Sequence, residues 1–197
     1  MKISIAALAF LFLTQAAFGA EAPTDPKRQT SWGLYLTAKE AAAMKTAQAN
    51  EVLFVDVREP VEIMFTGFTD MVDVNVPFML VDPSSWNPNK PGVLLMRKNP
   101  DFAAGVERAL TDAGLDKSAL VILMCRSGGT RGAPSAKALE GLGFEKVYVV
   151  VDGFEGAALK GDPRGPWRLK NGWKNSGLPW SYKLNQKKVY LRPKNPN

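Results

Sequence analysis

Apolar residues in this chain fall in short unbroken runs separated by longer amphipathic stretches. "VLFVDV" (52–57), "ALVILM" (119–124) and "KVYVVV" (146–151) are continuous and rich in β-branched residues, the pattern of strands buried on both faces. "VDVNV" (72–76) reads as a further short strand. "TAKEAAAMKTAQ" (37–48) opens with Thr37 and Glu40 at capping-box spacing, and its alanines favour helix. "PDFAAGVERALTDAG" (100–114) sets Pro100 near a first helical turn and Gly114 at a last one. "PSAKALEGLG" (134–143) reads as a helix closed by Gly143, and "GFEGAALKG" (153–161) as a short helical turn. Residues 82–100 are proline-rich and read as a long excursion. Strands that alternate with helices predict an α/β protein with a mainly parallel central sheet and helices on both sides.

The two ends break this pattern. Lys2, then apolar residues from Ile3 to Leu13, then small residues up to Ala20, form a signal-peptide pattern too short for a comfortable membrane span. The reading is a signal peptide over 1–20, cut after Gly19 or Ala20, and export to the periplasm without a membrane span thereafter. Residues 21–31 are polar and aperiodic and read as a flexible leader, 32–182 as the folded domain, and 183–197 as a C-terminal tail. From Asp162 onward the chain is rich in Lys, Trp, Asn, Pro and Gly, an extension on the domain surface with Trp167, Trp173, Trp180 and Tyr182 as candidate anchors. The formal charge of +6 is spread out apart from a C-terminal excess, so no nucleic-acid partner is expected.

Export sharpens the chemistry. The chain has one cysteine and no histidine. Oxidising compartments favour disulfides, yet a single thiol cannot form an internal one. Cys125 stands directly after the most apolar strand, where open α/β sheets bind ligands. Arg126, Ser127, Gly128, Gly129, Thr130 and Arg131 follow, and then a helix. The glycines let the backbone turn and gather N–H groups, and the helix dipole and two arginines add positive potential. Such a loop favours a thiolate and binds an oxyanion.

Three features together resemble the single-domain rhodaneses, over roughly residues 36–180. "VDVREPVE" (55–62) is similar to the family's "DVREPxE" signature, and "CRSGGTR" (125–131) to its active-site loop. "VYVVVDGFEG" (147–156), with "GWKNSGLPW" (172–180) after it, resembles the closing strand, glycine turn and "GLP" ending. The resemblance implies a sulfurtransferase that takes a sulfane sulfur from a thiosulfate-like donor. It would hold that sulfur as a Cys125 persulfide and pass it to a nucleophilic acceptor, with residues 126–131 binding the anion. No metal or cofactor is implied. Asp56 and Arg58 fall in the first motif as supporting residues, read as a structural ion pair or as bracing for the loop. Glu59 and Glu62 read as bracing or solvated.

There are departures from the family. "GFTDMVDV" (67–74) stands where many members have "GHIPGA". Residues 82–100 and 159–170 are insertions, and 82–100 or 159–182 could bind a periplasmic protein partner. The loop spacing is C-x5-R, one residue longer than the usual C-x4-R. The longer spacing supports an alternative, an oxyanion enzyme like the phosphatases and arsenate reductases of this fold. Against it, Met124 precedes the cysteine where those phosphatases often have histidine, and the loop lacks an acid. A non-catalytic binding or sulfur-carrier module is the remaining alternative.

Overall fold

The computed structural model describes residues 19–192. Along the chain run β1 (Tyr35–Leu36), α1 (Ala38–Ala47), β2 (Val52–Asp56), α2 (Pro60–Thr66) and β3 (Val74–Asn75). Then come β4 (Met79–Trp86), β5 (Leu94–Lys98), α3 (Phe102–Asp112), β6 (Leu120–Met124), α4 (Gly132–Lys137) and β7 (Lys146–Val150). The central sheet has the order β1-β7-β6-β2-β3, and every pairing is parallel.

The continuous apolar runs have the expected cause, since both faces of the sheet are covered. Successive side chains of a strand point to opposite faces. Leu53 and Val55 of β2 accordingly join Val106 and Leu110 of α3 and Ala136 of α4 in one cluster. Val52 and Phe54 join Met44 of α1, Ile63 of α2 and Trp173 in the other. Each such Leu, Ile or Phe stabilises the fold by about 1.5–3 kcal/mol. The capping box of α1 is present: the Glu40 N–H donates to Thr37 Oγ1 at 3.3 Å, and the Thr37 N–H to Glu40 Oε2 at 2.7 Å.

Four expectations change. The excursion at 82–100 contains most of an antiparallel hairpin, β4–β5, forming a separate two-stranded sheet. Its register shifts between Asp82 and Trp86, the stretch that holds Pro83, because proline cannot donate to a ladder. The segment 153–161 forms no helix, because the N–H groups of Phe154, Glu155 and Gly156 bond across to carbonyls of residues 125 and 126. The helix expected over 134–143 instead begins at Gly132 and ends at Lys137. Residues 21–31, expected as a flexible leader, are largely exposed but tied to the domain by hydrogen bonds. Pro26–Arg28 form a 3-10 turn capped by Asp25, Thr30 N–H donates to the Tyr35 hydroxyl at 2.9 Å, and Ser31 Oγ donates to Glu140 at 2.9 Å.

Both outer edges of the sheet are covered. Ala20 N–H donates to the Tyr35 carbonyl of β1 at 2.8 Å, and Asn75 N–H of β3 donates to the Lys188 carbonyl at 2.7 Å. The signal segment expected over 1–20 lies outside the described residues except for Gly19 and Ala20, and 193–197 of the tail also lie outside them.

Asp152, just past β7, ties three parts of the chain. Its carboxylate accepts the Ala38 N–H at the start of α1 at 2.8 Å and the Gly172 N–H at 3.1 Å. Burial pushes the Asp152 carboxyl above its ordinary value, against the pull of those N–H groups. Asp152→Ala leaves both N–H groups unpaired and is expected to cost about 1–3 kcal/mol in urea unfolding. A raised folded-state value means that the stability this group contributes is fullest below the ordinary carboxylate range. That stability is lost as pH rises through the raised value. The difference between wild type and variant should therefore narrow with rising pH over that interval, and a widening difference contradicts the assignment.

Candidate active site

Cys125 is the first residue past β6, the middle strand of the sheet. Its side chain is 2% exposed and belongs to the apolar cluster on the α3–α4 face. Residues 126–131 run from it to α4. A Cβ placed on Gly132 would lie 3.7 Å from Cys125 Sγ, so the far end of the loop returns to the sulfur.

Three carbonyls of this loop are anchored. The Cys125 carbonyl accepts the Phe154 N–H at 2.9 Å, and the Arg126 carbonyl accepts the Glu155 N–H at 2.8 Å. The Gly128 carbonyl accepts Nε and Nη2 of Arg28 at 3.0 and 2.8 Å. Across a trans peptide the C=O and the next N–H point in opposite directions. Fixing these three carbonyls therefore turns the N–H groups of Arg126, Ser127 and Gly129 the other way. Among the described residues, no N–H from Arg126 to Arg131 has a backbone acceptor. The loop thus holds donors available to an anion.

Two glycines make the packing possible. Gly128 has φ +62°, and a Cβ there would sit 1.8 Å from the Val151 carbonyl oxygen. Gly153 has φ +63°, and a Cβ there would sit 2.5 Å from Ser127 N. The turn after β7 is nested against the sulfur-bearing loop so closely that a side chain at either position would part them.

The charged residues divide into three pairs. Asp56 and Arg58 are wholly buried, with Nη2 to Oδ2 at 2.6 Å. Arg58 also donates to Thr66 Oγ1 at 2.8 Å and to the Gly67 carbonyl at 3.0 Å, and it lies over the Phe154 ring. All these partners are structural, so the pair braces the floor of the site. Arg126 is part-exposed and paired with Glu155. The Arg131 guanidinium, expected at an oxyanion, grips Glu62 of α2 with both terminal nitrogens, Nη2 to Oε1 at 2.8 Å. Burial opposes the Arg131 charge, but Glu62, and after it Cys125 and Asp56, outweigh burial and raise the guanidinium above its ordinary value. Ser127 and Gly129 are half-buried and Thr130 is exposed.

Helix α4 has six residues, so the expected dipole contribution is smaller than a full helix would give, and the loop amides carry more of it. Arg28 carries no local signal, because it sits in an aperiodic polar stretch 100 positions from its partner. Asp152 and Phe154 were legible only as parts of the "VDGFEG" turn. A cavity of about 410 Å³ beside α3 and the tail is lined by Asp73, Arg108 and Tyr190 and does not include Cys125.

The rhodanese-like domain family matches residues 37–160 of the chain. The crystal structure of Rv0390 from M. tuberculosis superposes with a TM-score of 0.54 at 29% identity, covering 76% of this chain and 97% of that one. No curated protein matches the sequence.

The nesting of the two loops makes neighbouring glycines unequal. Gly128→Ala forces a Cβ against backbone at a positive φ and is expected to destabilise by about 2–4 kcal/mol. Gly129→Ala meets nothing closer than Ser127 Oγ at 3.5 Å and should stay within about 1 kcal/mol of wild type. Urea unfolding of the two variants side by side measures the contrast, and equal costs would contradict the packing described.

Proposed function

The chain belongs to the rhodanese-like domain family, a sulfurtransferase superfamily, and on that footing we propose that it moves a sulfane sulfur through a persulfide on Cys125. The observation that carries this reading is a loop with three anchored carbonyls beside a single buried thiol, whose N–H groups are left for an anion. In the first step the Cys125 thiolate attacks the outer sulfur of a thiosulfate-like donor. A Cys125 S–S bond forms, the donor S–S bond breaks, and sulfite leaves with the electron pair. In the second step an acceptor thiolate attacks the outer persulfide sulfur, and Cys125 departs as a thiolate. Each step places negative charge on sulfur next to the loop. Donors already aimed there need no reorganisation when the charge arrives. A thiolate nucleophile needs no histidine base, in keeping with a chain that has none.

Arg28 enters this reading as a positioning residue. It lies outside the matched family span and fixes the Gly128 carbonyl, and through it the direction of the Gly129 N–H. We further propose that segment 1–20 directs export and that the mature protein works in the periplasm. The apolar run and small residues of that segment support this.

Mature protein incubated with thiosulfate should gain the mass of one sulfur, and Cys125→Ser should gain none while remaining folded. Sulfur uptake by the variant would end the proposal. Arg28→Ala is expected to lower kcat on the order of tenfold, short of the ~10²–10³ lost with an oxyanion donor itself, and with little change in KM. Arg28→Lys should recover part of it. N-terminal sequencing of periplasmic protein should read from Ala20 or Glu21, and an intact Met1 in a membrane fraction would contradict export.

A further inference from the structure

A loop of C-x5-R spacing has the parts a tetrahedral oxyanion requires: a run of N–H groups and an arginine fork. In this chain the fork is already filled. Both terminal nitrogens of Arg131 hold the Glu62 carboxylate, and the two side chains are only 10% and 18% exposed. We propose that Glu62 is a specificity-determining residue, a built-in carboxylate that occupies the arginine of the loop and so keeps phosphate, arsenate and sulfate from seating beside Cys125.

A carboxylate and two oxygens of a tetrahedral anion present the same two-acceptor edge to a guanidinium, so Arg131 seats one or the other. Glu62 is held in place by a chain of contacts that begins at the buried Asp56–Arg58 pair. Arg58 donates to Thr66 Oγ1, and that hydroxyl donates to the Glu62 carbonyl, each at 2.8 Å. The Glu59 side chain accepts the Val61 N–H at 2.6 Å and fixes the first turn of α2 below it. The carboxylate is therefore supported from its own backbone and is a poor leaving partner. Its charge also repels a second anion at the same edge. A persulfide escapes this exclusion because it adds a single atom to Cys125. The sulfite part of a donor need not enter the fork.

The inference deepens the sulfur-transfer reading, but its experiment reads anion binding alone, so its failure and a failure of sulfur uptake are separate results. Cys125 is alkylated with iodoacetamide in full-length mature protein under rising phosphate, and the half-protecting concentration is compared among variants. In E62Q, protection should appear at a phosphate concentration at least about tenfold lower than in wild type, the gain expected from freeing a charge-assisted bidentate site. E62Q combined with R131K should lose that gain, because lysine cannot offer the fork. If E62Q does not fold, E62D takes its place. It keeps the charge but withdraws the carboxylate by one methylene, and it should shift protection in the same direction. Equal half-protecting concentrations in wild type and the folded Glu62 variant would overturn the proposal, as would a gain that survives R131K.

Discussion

A peptide group cannot aim its C=O and N–H independently, and the chemistry of this protein rests on that constraint. Free N–H groups beside a sulfur are useful only if something else holds the carbonyls. Here the turn after β7 holds two of them and Arg28 holds a third. The turn can do so because Gly128 and Gly153 lack side chains where the two backbones meet. Beneath it, the buried Arg58 lies over Phe154, the residue whose N–H holds the Cys125 carbonyl. Removing one partner of the Asp56–Arg58 pair would leave a buried charge uncompensated, a cost of about 3–5 kcal/mol. The floor and the loop are therefore one mechanical unit.

The fold was legible where burial leaves a local signature. β2, β6 and β7 are covered on both faces and read as unbroken apolar runs, and α1 announces itself by its capping box. β3 falls inside "VDVNV" (72–76) and was legible there, whereas β1 is two residues long and exists through pairing with β7 rather than through its own pattern. α2 has seven residues, of which only Ile63 is buried, so it shows no apolar stripe to read. The β4–β5 hairpin is masked by its prolines. Its pairing is supported by Arg97 reaching Asp82 at 2.9 Å, a contact that no short window contains.

The site divides along the same line. The cysteine, the glycines and the arginines of the loop are close in sequence, and their joint demand on one backbone turn makes the motif visible. Asp56 and Arg58 are two residues apart and were visible as a pair. The partners that govern the loop are distant: Glu62 lies 69 positions from Arg131, and Arg28 lies 100 from Gly128. Glu62 closes the "DVREPxE"-like stretch, but nothing near it in the sequence names Arg131 as its partner, and Arg28 stands in no motif. The pairings that govern the loop were therefore less legible than the residues that make them.

The covered sheet edges have a consequence of another kind. A sheet with a bare outer strand offers unpaired backbone groups to any other extended chain, and this is a common route to self-association and fibre growth. Here Ala20 sits on the Tyr35 carbonyl at one edge and Lys188 on the Asn75 N–H at the other. The tail that follows the domain in sequence thus shields the β3 edge against self-association. A protease that trimmed the tail through Lys188 would leave the central strands intact but turn the β3 edge into a template, so loss of solubility would precede loss of the core.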